Sequence, residues 1–143
     1  MGVDVTDKMG SKKVSVRKIQ GAARSILKYL DRDQSELSLV LVDNREIQDL
    51  NHRYRNKNEP TDVLSFPPGD GLPDGICLLG DVVISIEQAE KQATKRRKTL
   101  EDEVESLLIH GILHLLGYDH ERSQAEARIM RGMERKIREG IKV

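Results

Sequence analysis

From Ser15 onward, Val16, Ile19, Ala23, Ile26, Leu27 and Leu30 recur at intervals of three and four, which predicts a first helix capped by Ser15 and ended by the polar turn DRDQ. Ahead of it, VDVTD alternates and predicts a short edge strand. ELSLVLVD sets Leu37, Leu39 and Leu41 on one face and Val40 and Val42 on the other. Both faces are apolar, so this strand is expected to be central. Asp43 and Glu46 stand at capping-box spacing and open a second helix, whose stripe of Ile47, Leu50 and Tyr54 runs to about Arg55.

Thr61 to Phe66 reads as a strand closed by Pro67 and Pro68, and PPGDGLPDGI is turn chemistry throughout. LLGDVVISI resumes a strand with Leu78, Val82, Ile84 and Ile86 on one face and Asp81 and Ser85 opposite, able to form a hairpin with its predecessor. Three helices are expected after it: Glu87 to about Arg97, Glu101 to Leu116, and Ser123 to Glu139. Ser123 and Glu126 again have capping-box spacing, and the last helix is expected to bury Ala125, Ile129, Met133 and Ile137. The elements predict an α+β fold, a small mixed four-stranded sheet layered with about five helices. No repeat, low-complexity tract or linker divides the chain, so residues 1–143 are expected to form a single domain.

Composition removes several classes of function. Lys plus Arg and Asp plus Glu both number 24, so no whole-molecule field drives the chain toward nucleic acid or anionic lipid, and any such partner must meet a local patch. Mean hydropathy is -0.54, and no run approaches the roughly 18 apolar residues of a membrane span. The start, MGVDVTDKMG, lacks a basic segment followed by an apolar one, so the expected location is the cytosol. The single cysteine, Cys77 in GICLLGD, is expected to be a small core residue.

Three of the four histidines fall within IHGILHLLGYDH, residues 109 to 120. From Val104 to Leu116, large aliphatic residues cover nearly the whole helix circumference, which predicts burial. One seam lacks them, running Ser106, His110, His114, Gly117. Side chains four apart on a helix are neighbours at about 5–6 Å, so His110 and His114 are placed to reach one ion. Gly117 is suited to the left-handed conformation that ends a helix, after which the chain can turn His120 toward the same point. A pair of histidines alone also fits hydrogen-bonded core residues; the third, beyond a glycine stop, favours a metal centre. Three neutral nitrogens leave a coordination position open, as a catalytic zinc site does. Ligation needs the neutral imidazole, so affinity for the ion should fall in acid.

The stretch HGILHLLGYDH resembles the signature of the YbeY family, bacterial metal-dependent endoribonucleases also described as rRNA maturation factors. The likeness continues in LNHRYRNKNEPTDVLSFP (Leu50 to Pro67) and LGDVVIS (Leu79 to Ser85), in the family's order and rough spacing, and so covers most of the chain. It implies an α+β fold with a zincin-like histidine helix, one zinc (Zn2+) held by His110, His114 and His120, and action on single-stranded RNA. It also places the family's functionally important arginine at Arg55.

A His-xxx-His helix invites comparison with metallopeptidases, but Gly111 stands where HExxH has its glutamate. Peptide hydrolysis by that route is not expected. The reading is instead that a metal, with His114 among its ligands and in the catalytic centre, activates water and polarises a phosphoryl oxygen, while Arg55 offers a guanidinium fork to developing charge. Attack by the RNA 2'-hydroxyl is equally open. Asp119 either orients a histidine or makes the turn. From pattern alone Arg55 suits a helix C-terminus, His52 a surface position, Thr61 and Asp62 a strand entry, and Asp81 a solvent-facing site.

KQATKRRK concentrates Lys91, Lys95, Arg96, Arg97 and Lys98, followed by the acidic Glu101, Asp102, Glu103 and Glu105. Adjacent opposite blocks suit a solvated face, although with Arg122, Arg128, Arg131 and Arg135 the basic block would offer phosphate contacts. Aromatic residues make up 3% of the chain, too few to stack many bases. The expected function is a zinc-dependent, single-strand-preferring endoribonuclease acting on ribosomal RNA or the small ribosomal subunit, in rRNA maturation and ribosome quality control. Its rivals are a metal-dependent hydrolase of a peptide or small molecule, and a non-catalytic ribosome-associated module stabilised by its metal.

Overall fold

The computed structural model describes residues 2–10, 13–67, 78–118 and 123–141. Cys77, Asp119, His120, Arg122 and all but the first residue of PPGDGLPDGI lie outside the described residues. The element order is β1 (Val3–Asp7), α1 (Val16–Tyr29), β2 (Glu36–Val42), α2 (Asn44–Arg55), β3 (Val63–Phe66), β4 (Leu78–Ser85), α3 (Ile86–Arg96), α4 (Leu100–Leu115) and α5 (Gln124–Gly140). This is the α+β arrangement expected, with four strands and five helices among the described residues.

The strands form one sheet in the order β1-β2-β4-β3. β1 pairs parallel with β2, and β2 parallel with β4, while β3 runs antiparallel to β4, setting Val63 opposite Ile84 and Phe66 opposite Asp81. Central β2 and edge β1 agree with the alternation of their sequences, as does the β3–β4 hairpin. Alternation along β2 sends Leu37, Leu39 and Leu41 into the larger core beneath α1, α4 and α5, and Val40 and Val42 into a smaller cluster with Ile47 of α2. Helices thus cover both faces of the sheet, which is why β2 is apolar on both.

Each helix begins on a side-chain cap. Ser15, Asp43, Ser85, Thr99 and Ser123 accept a hydrogen bond from the backbone N–H three residues on, satisfying a donor that the first turn would leave unpaired. The capping box expected at Asp43 is only half made. Asp43 Oδ1 accepts from Glu46 N at 2.8 Å, but the Glu46 carboxylate pairs with Lys8 Nζ across the fold.

Helix α4 is the spine of the larger core. Leu108, Ile109, Ile112 and Leu113 are wholly buried and Leu107 nearly so, each contributing about 1.5–3 kcal/mol by removal from water. Two corrections to the sequence reading follow from packing. In α5 the buried residues are Met130 and Ile137, with Met133 partly buried against the core, whereas Ala125 and Ile129 face solvent. The buried stripe keeps Met133 and Ile137 but passes through Met130 in place of Ile129, a choice the mixed composition of α5 left open. The acidic block is not wholly solvated either: Glu103 is completely buried, and Arg96 Nη1 reaches its two carboxylate oxygens at 3.0 and 3.4 Å. Asp81 faces solvent as expected. No helix among the described residues is long and apolar enough to cross a membrane.

Candidate active site

Helix α4 carries His110 and His114 in its C-terminal half. Their ring centroids lie 4.8 Å apart with planes inclined by 62°, and both side chains are half-buried. The seam anticipated between the aliphatic residues is therefore present, and it opens into a cleft of about 670 Å³. Arg55, Thr61, Asp62 and Ser65 line the same cleft. The structure thus brings Arg55, from the last turn of α2, to the histidine pair. His52, one turn earlier, is exposed and is not among the cleft residues.

Close packing sets the depth of the helix. A Cβ added to Gly111 would meet Val82 Cγ1 at 2.7 Å and Val63 Cγ2 at 3.3 Å, so the backbone between the two histidines rests directly on β3 and β4. No glutamate could stand there without displacing the helix, which gives a packing reason for the missing HExxH residue. Gly111 therefore serves approach to the sheet.

The helix ends as its glycine predicted. Gly117 has φ +101°, Gly117 N–H donates to the His114 carbonyl at 3.0 Å, and Tyr118 N–H donates to the Leu113 carbonyl at 3.1 Å. This paired closure is a Schellman motif. His120, the third ligand expected, lies outside the described residues. Among the described residues no three His, Cys, Asp or Glu side chains converge as a metal-holding group. The pair itself fits two positions of a cation that takes nitrogen ligands, being adjacent, on a rigid helix and open to the cleft. Behind it, Glu134 Oε2 of α5 stands 3.8 Å from His110 Nδ1. A carboxylate on that side favours the tautomer that leaves Nε2 for a ligand.

The approach from α2 to β3 depends on a residue that sequence reasoning passed over. Asn51 is buried; its Nδ2 donates to the Glu59 carbonyl at 2.9 Å, and its backbone carbonyl accepts from Lys57 N–H at 3.3 Å. Asn56 takes the left-handed conformation at the helix end, φ 58°. Together they fold NKNEP back so that Arg55 and Asp62 reach the same cleft. Asp62 turns inward: its Oδ1 accepts from Val63 N–H at 2.8 Å, and its Oδ2 from Gln92 Nε2 of α3 at 3.1 Å. The only cue in the sequence was an asparagine four residues after Ile47, one helical turn along.

The basic run meets the cleft wall at its start, where Gln92 holds Asp62, and then leads away from it. Arg97 ends α3 in the left-handed conformation, and the run precedes the N-cap of α4, Thr99. At 1.5 Å per residue Thr99 is roughly 17–23 Å along the axis from the histidines, and Arg96 is engaged with Glu103. Among the described residues, the Lys or Arg that lines the cleft is Arg55.

Fold and site together define an α+β protein whose buried helix presents a histidine pair to an open, partly polar cleft. A family model described as Endoribonuclease YbeY matches residues 4–142, and the chain belongs to that family. A relative from Persephonella marina named Endoribonuclease YbeY is 42% identical over 139 residues, covering 96% of this chain and 91% of its own. One of the same name from Aquifex aeolicus is 46% identical over 127 residues, 89% and 84% of the two chains. The solution structure of TM1509 from Thermotoga maritima aligns with a TM-score of 0.67 at 28% identity, covering 97% of this chain and 88% of that one.

Proposed function

We propose that this chain is a metal-dependent endoribonuclease that cuts single-stranded RNA and serves ribosomal RNA maturation and ribosome quality control in the cytosol. Family membership supports the reaction class, since the relatives carry that activity in their name. The observation that carries the site is that His110, His114 and Arg55, drawn from two helices far apart in sequence, line one cleft. In this reading His110, His114 and His120 hold the ion, taken as zinc because three imidazoles with an open fourth position are a known catalytic zinc set. When bound, the ion supplies Lewis acidity toward a phosphoryl oxygen and water.

The chain's own residues do the rest. Arg55 presents a planar fork of donors to a phosphate, binding its charge in the ground state and more strongly as charge grows toward the transition state. Burial of α4 holds the two imidazoles in one geometry, so little reorganisation is needed when substrate arrives. The test is incubation of purified protein, with and without chelator, against single-stranded RNA, duplex RNA and a peptide panel. Chelator-sensitive cleavage confined to single-stranded RNA is the expected result; peptide cleavage, or no RNA cleavage with metal supplied, rejects the proposal.

A further inference from the structure

Two of the chain's four aromatic side chains meet at the cleft. Tyr54, immediately before Arg55, and Phe66, the last residue of β3, have ring centroids 5.3 Å apart with planes inclined by 71°, and both line the cleft with His110 and His114. The two rings differ in role. Phe66 packs against the smaller core cluster. Tyr54 belongs to neither cluster and is 62% exposed, although the helical stripe Ile47, Leu50, Tyr54 had predicted it on the core side. The face of α2 that is actually buried turns through Ile47 and Asn51 instead.

A large exposed ring, held edge-to-face by a partner anchored in the core, is a preformed surface for another flat group. Its surroundings narrow the choice of group. Arg55 follows in sequence as a phosphate-binding cation, and Thr61, Asp62 and Ser65, held by hydrogen bonds within the protein, make the adjoining cleft wall polar. A π-face beside a cation, in a cleft with a polar wall, matches the base and phosphate of one nucleotide. We propose that Tyr54, buttressed by Phe66, is a stacking subsite for a nucleobase of the RNA adjoining the phosphate at Arg55. The inference rests on the endoribonuclease reading. It gives the single-strand preference a physical source, because a base within a duplex has its faces covered by its neighbours and has none to offer a tyrosine ring. Sequence selectivity from this contact is weak, as every base has a π-face.

The experiment measures KM and kcat on a short single-stranded RNA for the metal-loaded wild type, Tyr54→Leu and Tyr54→Phe, and repeats it with oligonucleotides carrying one abasic position moved along the strand. Fluorescence anisotropy of the same oligonucleotides in chelator reads binding without turnover. Loss of the stacking ring is expected to weaken binding and raise KM by roughly 5- to 100-fold, with kcat changed far less, and Tyr54→Phe restores the wild-type value. One abasic position near the cut should produce the same loss in the wild type and no further loss in Tyr54→Leu. Equal penalties for that abasic strand in both proteins, or unchanged affinity in Tyr54→Leu, overturns the stacking subsite while leaving RNA cleavage by the wild type intact. Displacement of RNA by an aromatic peptide with no abasic effect would likewise reject the nucleobase as occupant. Failure of the wild type to cleave any RNA overturns the endoribonuclease reading itself, and is visible in the control arm.

Discussion

Ser65 Oγ donates a hydrogen bond of 2.9 Å to the Gly111 carbonyl oxygen, tying β3 to α4 between its two histidines. The same carbonyl belongs to the residue whose missing side chain lets the helix rest on Val82 and Val63. One polar tie and one close apolar contact therefore locate His110 and His114 relative to the strand that supplies the cleft wall.

Replacing Gly111 with Ala is expected to lower stability by about 1–3 kcal/mol, because a methyl group would be forced into a stiff valine. Urea denaturation followed by circular dichroism measures it. Gly111→Ala combined with Val82→Ala should lose less than the two single losses summed, since the second change opens the space the first requires. Strict additivity would show that the contact is not what limits this position.

Arg96→Ala leaves the buried Glu103 carboxylate without its guanidinium. The expected cost is about 1–2 kcal/mol, toward the lower part of the range for an unsatisfied buried group, because more than half of the Arg96 side chain is in water. Arg96→Ala with Glu103→Leu should recover most of it, as replacing both partners removes the buried charge. Thermal melts of the three variants check this, and an unchanged midpoint in Arg96→Ala would remove the pair from any account of stability.

Arg55→Ala should leave fold and metal content intact, since the side chain is exposed, while cutting RNA cleavage by about 10²–10³-fold, the scale of one lost donor to developing charge. Single-turnover assays beside elemental analysis separate the two effects. Unchanged turnover would take Arg55 out of the reaction.

His114→Ala should abolish stoichiometric zinc, read by elemental analysis after dialysis. Glu134→Gln should keep the site but weaken it by roughly 10-fold, the lower range for a group that orients a ligand from behind. Competition with a chromophoric chelator gives that affinity. Full occupancy in His114→Ala would reject the ligand set.

Much of this protein is local enough to be legible in its residues. The caps at Ser15, Asp43 and Ser123 need only a side-chain oxygen and an N–H three residues on. The two-sided β2, the hairpin and the histidine seam follow from periods of 2 and 3.6 that the backbone imposes. Even the end of α4 at Gly117 is a one-residue decision, since a left-handed closure favours a residue with no Cβ.

What the chain alone left open is everything that depends on which elements meet. Seating β4 beside β2, with β3 outermost, brings the end of α2 to α4 and so places Arg55 and Tyr54 at the histidines. The same assembly exposes Ile129 while burying Met130, and encloses Glu103 although its neighbours are charged. Local spacing is dictated by bond geometry and can be counted along the chain. Orientation and burial arise only when surfaces compete for one core, so residues of equal hydrophobicity receive opposite fates.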